Sequence, residues 1–238
     1  MEKTDNDNLP KHIAIIMDGN RRWAKKRNLP TNLGHKEGAK VLEVIAKYCA
    51  NIGIKVLTVY AFSSENWKRS KEEVDGLMNL FEQYIHEFDT KYQKENIKIR
   101  FLGDRTKLSN DLIEGMNRVE TATNDNTGMI FNVAINYGGR EEIINAVKLI
   151  SQKVKNGEIS IDSIDDREFE NALYTKECMD VDLLIRTSGE IRVSNFLPWQ
   201  LSYAEMHFTD VLWPDFKEKD IDIAIEDFSK RKRNFGGN

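Results

Sequence analysis

Five polar stretches of this 238-residue chain carry side chains that could handle a charged ligand. The first is Asp18-Gly19-Asn20-Arg21-Arg22-Trp23, directly after an apolar run, and the second is Ser63-Ser64-Glu65-Asn66-Trp67-Lys68-Arg69. Further on come Asn136 to Arg140, then Arg186 to Asn195, and finally Glu205 within a last apolar run. Arginine forks at 22, 69, 186 and 192 match phosphate oxygens, and the hydroxyls of Ser63 and Ser194 add neutral donors. Gly19 lets the backbone approach a ligand closely, and a helix opening near Arg22 would turn free N–H groups toward a diphosphate. Asp18 is the odd charge. A carboxylate among phosphates is repelled unless a hard divalent cation lies between them, and Mg2+ uses one or two carboxylates plus phosphate oxygens. Glu205 is the natural second carboxylate.

Taken singly, each residue has a plainer reading. Asp-Gly-Asn is a common turn, and an arginine beside acidic helix residues is usually a surface ion pair of small energetic weight. His35 alone reads as a helix-surface residue, while His12, His86 and His207 share no metal-ligand spacing and receive no role. The four tryptophans, Trp23, Trp67, Trp199 and Trp213, read first as packing anchors. What argues for a site is that the polar clusters follow successive apolar runs.

Those runs must position the clusters. "HIAIIMD", "IKVLTVYAF", "IKIRFLG", "MIFNVAIN", "VDLLIRT" and "AEMHFTD" read as six strands, mostly separated by segments of helical period. This is an α/β pattern with a largely parallel sheet, in which ligands bind beyond the carboxyl ends of the strands. The runs at 54–62 and 129–136 lack polar alternation, as central strands covered on both faces should. Ser70 stands three residues before Glu73 and offers a capping box. From there Val74, Leu77, Met78, Phe81, Ile85 and Phe88 recur at helical steps and make one wide apolar face.

Composition excludes several classes. The 40% hydrophobic content suffices for a sizeable core, so one domain over residues 11–238 is expected, after a disordered polar extension at 1–10. With 35 basic and 39 acidic residues the net charge is −4, and no overall field draws the chain to nucleic acid. Two distant cysteines, Cys49 and Cys178, argue against a zinc site or a disulfide framework. Without a leader or a long apolar run, the chain is expected to be soluble and cytoplasmic. Neither GxxxxGK[ST] nor GxGxxG occurs, which weakens a nucleotide-binding reading.

Five blocks in order, "HIAIIMDGNRRWAKK", "GHKEGAK", "YAFSSENWKRS", "NYGGREEI" and "DLLIRTSGEIRVSNFLPWQLSYAEMHFTDVLWPDF", resemble the motifs of cis-prenyltransferases, among them the bacterial undecaprenyl diphosphate synthases. The resemblance implies a homodimeric transferase of isoprenoid biosynthesis, with a central parallel six-stranded sheet flanked by helices and a hydrophobic tunnel. An allylic diphosphate such as farnesyl diphosphate would be extended by isopentenyl diphosphate units, giving the undecaprenyl diphosphate of cell-wall lipid carriers. Transient membrane association would accompany product release.

Carried over position by position, the resemblance makes Asp18 the catalytic aspartate that positions Mg2+, with Glu205 completing the metal site, from this subunit or its partner. Gly19, Asn20, Arg21, Arg22, Trp23 and His35 would surround the allylic diphosphate. Ser63, Ser64, Asn66 and Arg69 would lie near the reacting carbons, with Trp67 beside the primer. Arg186, Arg192 and Ser194 would hold isopentenyl diphosphate. The acceptor of the C2 proton stays open among Asp18, Asn66 with a water, and the departing diphosphate. The chain departs from the family pattern at Thr31 and Asn234, where arginines are usual, and at Arg21, where glycine is common. A shorter or irregular product is the alternative those departures suggest, and a non-catalytic isoprenoid-binding subunit is a further one.

Overall fold

The computed structural model describes residues 9–91 and 95–231, without the side chains of residues 88–91. Most of the expected 1–10 extension, together with Arg233 and Asn234, lies outside the described residues, whereas Leu9 packs partly buried against the core.

All six expected strands form: β1 (His12–Ile16), β2 (Val56–Ser63), β3 (Lys98–Leu102), β4 (Ile130–Tyr137), β5 (Leu183–Arg186) and β6 (Glu205–Phe208). They make one sheet in the order β3-β4-β2-β1-β5-β6, and every neighbouring pair is parallel. The helices are α1 (Asn20–Lys26), α2 (Thr31–Ile52), α3 (Lys71–Lys91), α4 (Asn110–Thr123), α5 (Gly139–Lys155), α6 (Asp166–Glu170) and α7 (Glu218–Lys230).

Alternate residues of each strand face opposite sides, so the sheet divides the core into two layers. Ile13, Ile15, Leu57, Val59, Ile99 and Val133 pack in one layer with buried side chains of α2, α3, α4 and α7. Ala14, Ile16, Ala134, Tyr137 and Leu184 pack in the other with Phe196, Leu197 and Leu201. The runs read as central strands are interior, since β4 and β2 each have two neighbours.

Local chemistry fixes the helix ends. Ser70 Oγ accepts the Glu73 amide at 3.4 Å, which is one half of the expected capping box, while the Glu73 carboxylate turns to Arg69 and His35. The helix expected near Arg22 begins earlier, at Asn20, because Gly19 takes a left-handed φ of 109° and turns the chain at once. α1 is only seven residues long, so its dipole is a smaller asset than the sequence suggested. Both cysteines are free thiols.

His12 acquires a structural role that its spacing did not indicate. It is fully buried, with Nδ1 2.8 Å from the Met179 carbonyl and Nε2 2.8 Å from Thr58 Oγ1. Asn132 Nδ2 donates to the same Thr58 oxygen at 3.0 Å. Burial pushes the His12 imidazole from its usual 6.5 to about 4. Between those two values the unfolded chain binds a proton that the folded chain excludes, so stability falls as pH drops below 6.5. This histidine alone should cost about 2 kcal/mol at pH 5 relative to pH 7.5. Urea unfolding at the two pH values is expected to show a larger loss for the parent than for His12→Gln, which can keep a hydrogen bond, by about that amount.

Candidate active site

The strand order has a switch point. From β1 the chain builds outward through β2 toward β4 and β3, then returns to place β5 and β6 on the other side of β1. A crevice opens beyond the carboxyl ends at such a point. Register sets its contents, because Ile16 pairs with Arg186 across β1 and β5 and brings the residues after β1 beside a guanidinium. The Asp18 amide donates to Thr187 Oγ1 at 2.9 Å, and Thr187 Oγ1 donates back to the Asp18 carbonyl at 2.6 Å. The Asp18 carboxylate then accepts Arg186 Nη2 at 2.9 Å, with Arg22 Nη2 3.8 Å away. Gly19 touches Leu212 and Ser188 so closely that a Cβ would meet both at 3.0–3.1 Å.

A cleft of about 600 Å³ lies here, lined by Asp18, Asn20, His35, Ser63, Asn66, Arg69, Arg186, Arg192 and Ser194, together with Tyr60, Glu65, Leu77 and Asn195. Most of the site residues read from the sequence are therefore brought together. Ser63 and Asn66 cap each other: Asn66 Oδ1 accepts the Ser63 amide at 3.1 Å and the Ser63 side chain accepts in return. Arg186 is 3% exposed, and its Nη1 donates to Ser194 Oγ at 2.7 Å and to the Arg192 carbonyl.

Two carboxylates neutralise the surrounding cations. Glu73 faces Arg69 at 2.9 Å, His35 at 3.4 Å and Arg21 at 3.9 Å, whereas Glu190 faces Arg192 at 2.5 Å and Arg22 at 3.3 Å. Burial and the neighbouring Arg69 charge hold the His35 imidazole below its usual value, against the pull of Glu73, so it is neutral at pH 7. The contact of His35 Nε2 with Glu73 is too long for a good hydrogen bond, and this atom, Asn20 Oδ1 and Arg186 Nε are buried at the cleft without a hydrogen-bond partner. The two nitrogens are donors that an anionic ligand could satisfy, whereas the Asn20 oxygen packs against Gly38 and can only accept.

Other expected site residues point elsewhere. Trp23 donates its indole N–H to Asp215 at 2.7 Å and lies under the Arg27 guanidinium, and Trp67 donates to Asn136 Oδ1 at 2.7 Å and packs edge-on against Phe62. Trp67 packs partly buried against the core, as the plainer reading has it, whereas Trp23 is held by Asp215 and Arg27. Ser64 sits beneath Gly138. Glu205 pairs with Leu183 at the opening of β6, at the opposite end of the strands from Asp18. Three residues of strand separate that row from the Arg186 row, roughly 10 Å, and Arg231 holds the Glu205 carboxylate at 2.7 Å. Glu205 is therefore not part of this chain's own cleft. Tyr60, Glu65, Glu73, Glu190 and Asn195 had no assigned role from the sequence. Glu65, Glu190 and Asn195 lay in stretches already singled out, and only their contacts distinguish them.

Behind the cleft is an apolar cavity of about 100 Å³ with Phe81, Ile85, Phe101, Phe131 and Val133 in its wall. Leu77 borders the cleft, Phe81 and Ile85 border the cavity, and Ala61 borders both. Ala61 sits in a β-bulge, where the β2–β4 register slips between Tyr60 and Phe62. The Phe88 side chain lies outside the described residues.

Comparison with known proteins agrees with this architecture. A family model described as "Putative undecaprenyl diphosphate synthase" matches residues 16–236. The chain is 51% identical over 229 residues to an isoprenyl transferase of Bacillus subtilis, across 96% of this chain and 88% of that protein. It is 49% identical over 237 residues to the ditrans,polycis-undecaprenyl-diphosphate synthase ((2E,6E)-farnesyl-diphosphate specific) of Pasteurella multocida, across 100% of this chain and 99% of that one. The crystal structure of lavandulyl diphosphate synthase from Lavandula x intermedia, in complex with dimethylallyl diphosphate, superposes with a TM-score of 0.92 at 39% identity, covering 98% of this chain and 100% of that one. A match over nearly all of the chain, on a sheet whose switch point holds the cationic cleft, establishes that the chain belongs to the undecaprenyl diphosphate synthase family of prenyltransferases.

Proposed function

We propose that this prenyltransferase condenses isopentenyl diphosphate onto an allylic diphosphate, with farnesyl diphosphate as primer, to build undecaprenyl diphosphate for the cell-wall lipid carrier. The observation that carries this reading is the cleft: cations on both sides of one carboxylate, two buried nitrogens without partners, and an apolar cavity behind. Two anionic heads with one hydrocarbon tail fit that combination. Similarity to the Pasteurella protein, whose name specifies farnesyl diphosphate, supports the primer.

Asn20, Arg22, His35 and Arg69 then hold the allylic diphosphate, which Gly19 lets approach the backbone, and Arg21 adds charge at the rim. Arg186, Arg192 and Ser194 hold isopentenyl diphosphate. The neutral His35 gives a hydrogen bond without adding charge. A divalent cation could be held at Asp18, whose carboxylate lines the cleft, with phosphate oxygens and water completing its shell. We read it as Mg2+, held by Asp18, with Glu205 reaching the site from a second copy in a homodimer. When bound it helps neutralise the departing diphosphate. The arginines stabilise the same developing charge as the allylic C1–O bond breaks, C4 of isopentenyl diphosphate attacks C1, and the C2 proton leaves. Ser63 and Asn66, fixed by their mutual cap, order the space around the reacting carbons.

The apolar cavity would receive the growing chain as a tunnel. A dry cavity of about 150 Å³ holds a single benzene, so a C55 product requires α3 to move outward, and the small volume favours a shorter product as the second reading. No described helix is long and apolar enough to cross a membrane. We place the enzyme in the cytoplasm, touching membrane transiently as product leaves.

Incubation with labelled isopentenyl diphosphate and farnesyl diphosphate tests the reading, and no radiolabel in polyprenyl products would end it. Asp18→Asn, which still accepts from Arg186, should keep the fold by circular dichroism and lower kcat by about 10²-fold or more. Near-normal turnover in saturating magnesium would remove Asp18 from the metal site. Arg192→Ala should raise the KM for isopentenyl diphosphate about tenfold or more, as a lost charge-assisted contact does. Leu77→Trp, at the join of cleft and cavity, should shorten the products, whereas Phe81→Ala should lengthen them. Unchanged lengths with a loss of about 3 to 5 kcal/mol for Phe81→Ala would return this face to plain core.

A further inference from the structure

The Asn195 carboxamide joins three loops that follow different strands. Its Oδ1 accepts the Arg140 amide at 2.9 Å, its Nδ2 donates to Glu65 Oε1 at 3.1 Å, and its own carbonyl accepts the Gly139 amide at 2.8 Å. Glu65 follows β2, Gly139 and Arg140 open α5 after β4, and Asn195 lies in the loop between β5 and β6. We propose that Asn195 is a positioning residue of the condensation: by tying Glu65 to the first turn of α5, it sets the loop of Arg192 and Ser194 at its working distance from Ser63 and Asn66. This inference rests on the reading that Arg192 and Ser194 hold isopentenyl diphosphate.

Three observations at separate places in the chain support it. Asn195 has a left-handed φ of 62°, between Ser194 at 48° and Leu197 at 48°. Non-glycine residues hold that conformation only where their surroundings over-determine it, and asparagine tolerates it best. Gly138 and Gly139 clear the space: a Cβ at 138 would meet Ser64 Oγ at 2.6 Å and Asn195 Nδ2 at 3.1 Å, and one at 139 would meet Asn195 O at 3.0 Å and strike Pro198. Glu65 is the right acceptor. Burial alone would raise its carboxyl, but hydrogen bonds from its own amide, Asn195, Ser63 and Ser64 hold it below the usual value, so the bond from Asn195 is charge-assisted. Both side chains also line the cleft, so the tie is made beside the substrates rather than in remote core.

N195D sets two carboxylates against each other while keeping an acceptor for the Arg140 amide, and adding E65Q lets the introduced amide donate to the introduced carboxylate. For N195D the KM for isopentenyl diphosphate should rise about tenfold or more with a lower kcat, and the KM for farnesyl diphosphate should stay within about twofold. The double variant should return the isopentenyl diphosphate KM to within about threefold of the parent. A double variant no better than N195D, or equal rises in both KM values with a matching drop in Tm, overturns the proposal. Thermal stabilisation by inorganic diphosphate, compared across parent, N195D and N195D/E65Q, reads the same tie without turnover. An inert parent would end the condensation reading alone, while failure of the double variant to regain that stabilisation would end the positioning role.

Discussion

A guanidinium that is 3% exposed at the end of β5 cannot be left without partners, and the site is built around that constraint. Charge out of water is costly unless paired and fully hydrogen-bonded. Arg186 meets the demand with the Asp18 carboxylate, the Ser194 hydroxyl and the Arg192 carbonyl, which ties the loop after β1 to the loop after β5. Parallel pairing of Ile16 with Arg186 makes this possible, and the reciprocal Asp18–Thr187 hydrogen bonds keep the two strand ends in step. One nitrogen, Nε, stays unpartnered and buried, so the pairing leaves a donor over for an anion.

The same electrostatics explain why the cleft is stable before any diphosphate enters. Arg21 and Arg69 gather on one side, beside the neutral His35, and Arg22 and Arg192 on the other, where like charges would repel at short range in a medium less polar than water. Glu73 and Glu190 stand between them and supply the compensating charge. The depressed His35 imidazole is part of this balance, since burial and Arg69 keep a further positive charge off the ring.

Much of this was legible in the sequence because strands announce themselves by apolar runs and ligands gather at their carboxyl ends. Asp18, Ser63, Asn66 and Arg186 follow from that rule and meet in the cleft. Glu205 did not, because a residue written beside a strand can sit at either end of it, and only the β5–β6 register places it opposite Leu183. Trp23 and Trp67 lie within polar clusters, but each is turned aside by a hydrogen bond from its indole N–H to a residue distant in sequence, Asp215 or Asn136. Helix period could not reveal such long-range partners. The buried His12 is a similar case: its neighbours Thr58 and Met179 come from elements 46 and 167 residues away.

The apolar face of α3 shows where periodicity stops being informative. A step of three or four residues places Leu77, Phe81 and Ile85 on one side of the helix, yet along that side the environment changes from the cleft at Leu77 to the apolar cavity at Phe81 and Ile85. What divides the two lies on the facing strand. The β2 bulge leaves Ala61 out of register with β4 and sets the smallest side chain of that strand at the join. Bulges re-aim side chains beside active sites, and here the re-aimed group is a methyl. A larger one would narrow the join between the apolar cavity and the polar cleft. The join between the polar cleft and the apolar cavity thus lies at an irregular ladder, where the β2–β4 register shifts twice, a feature no count of apolar positions contains.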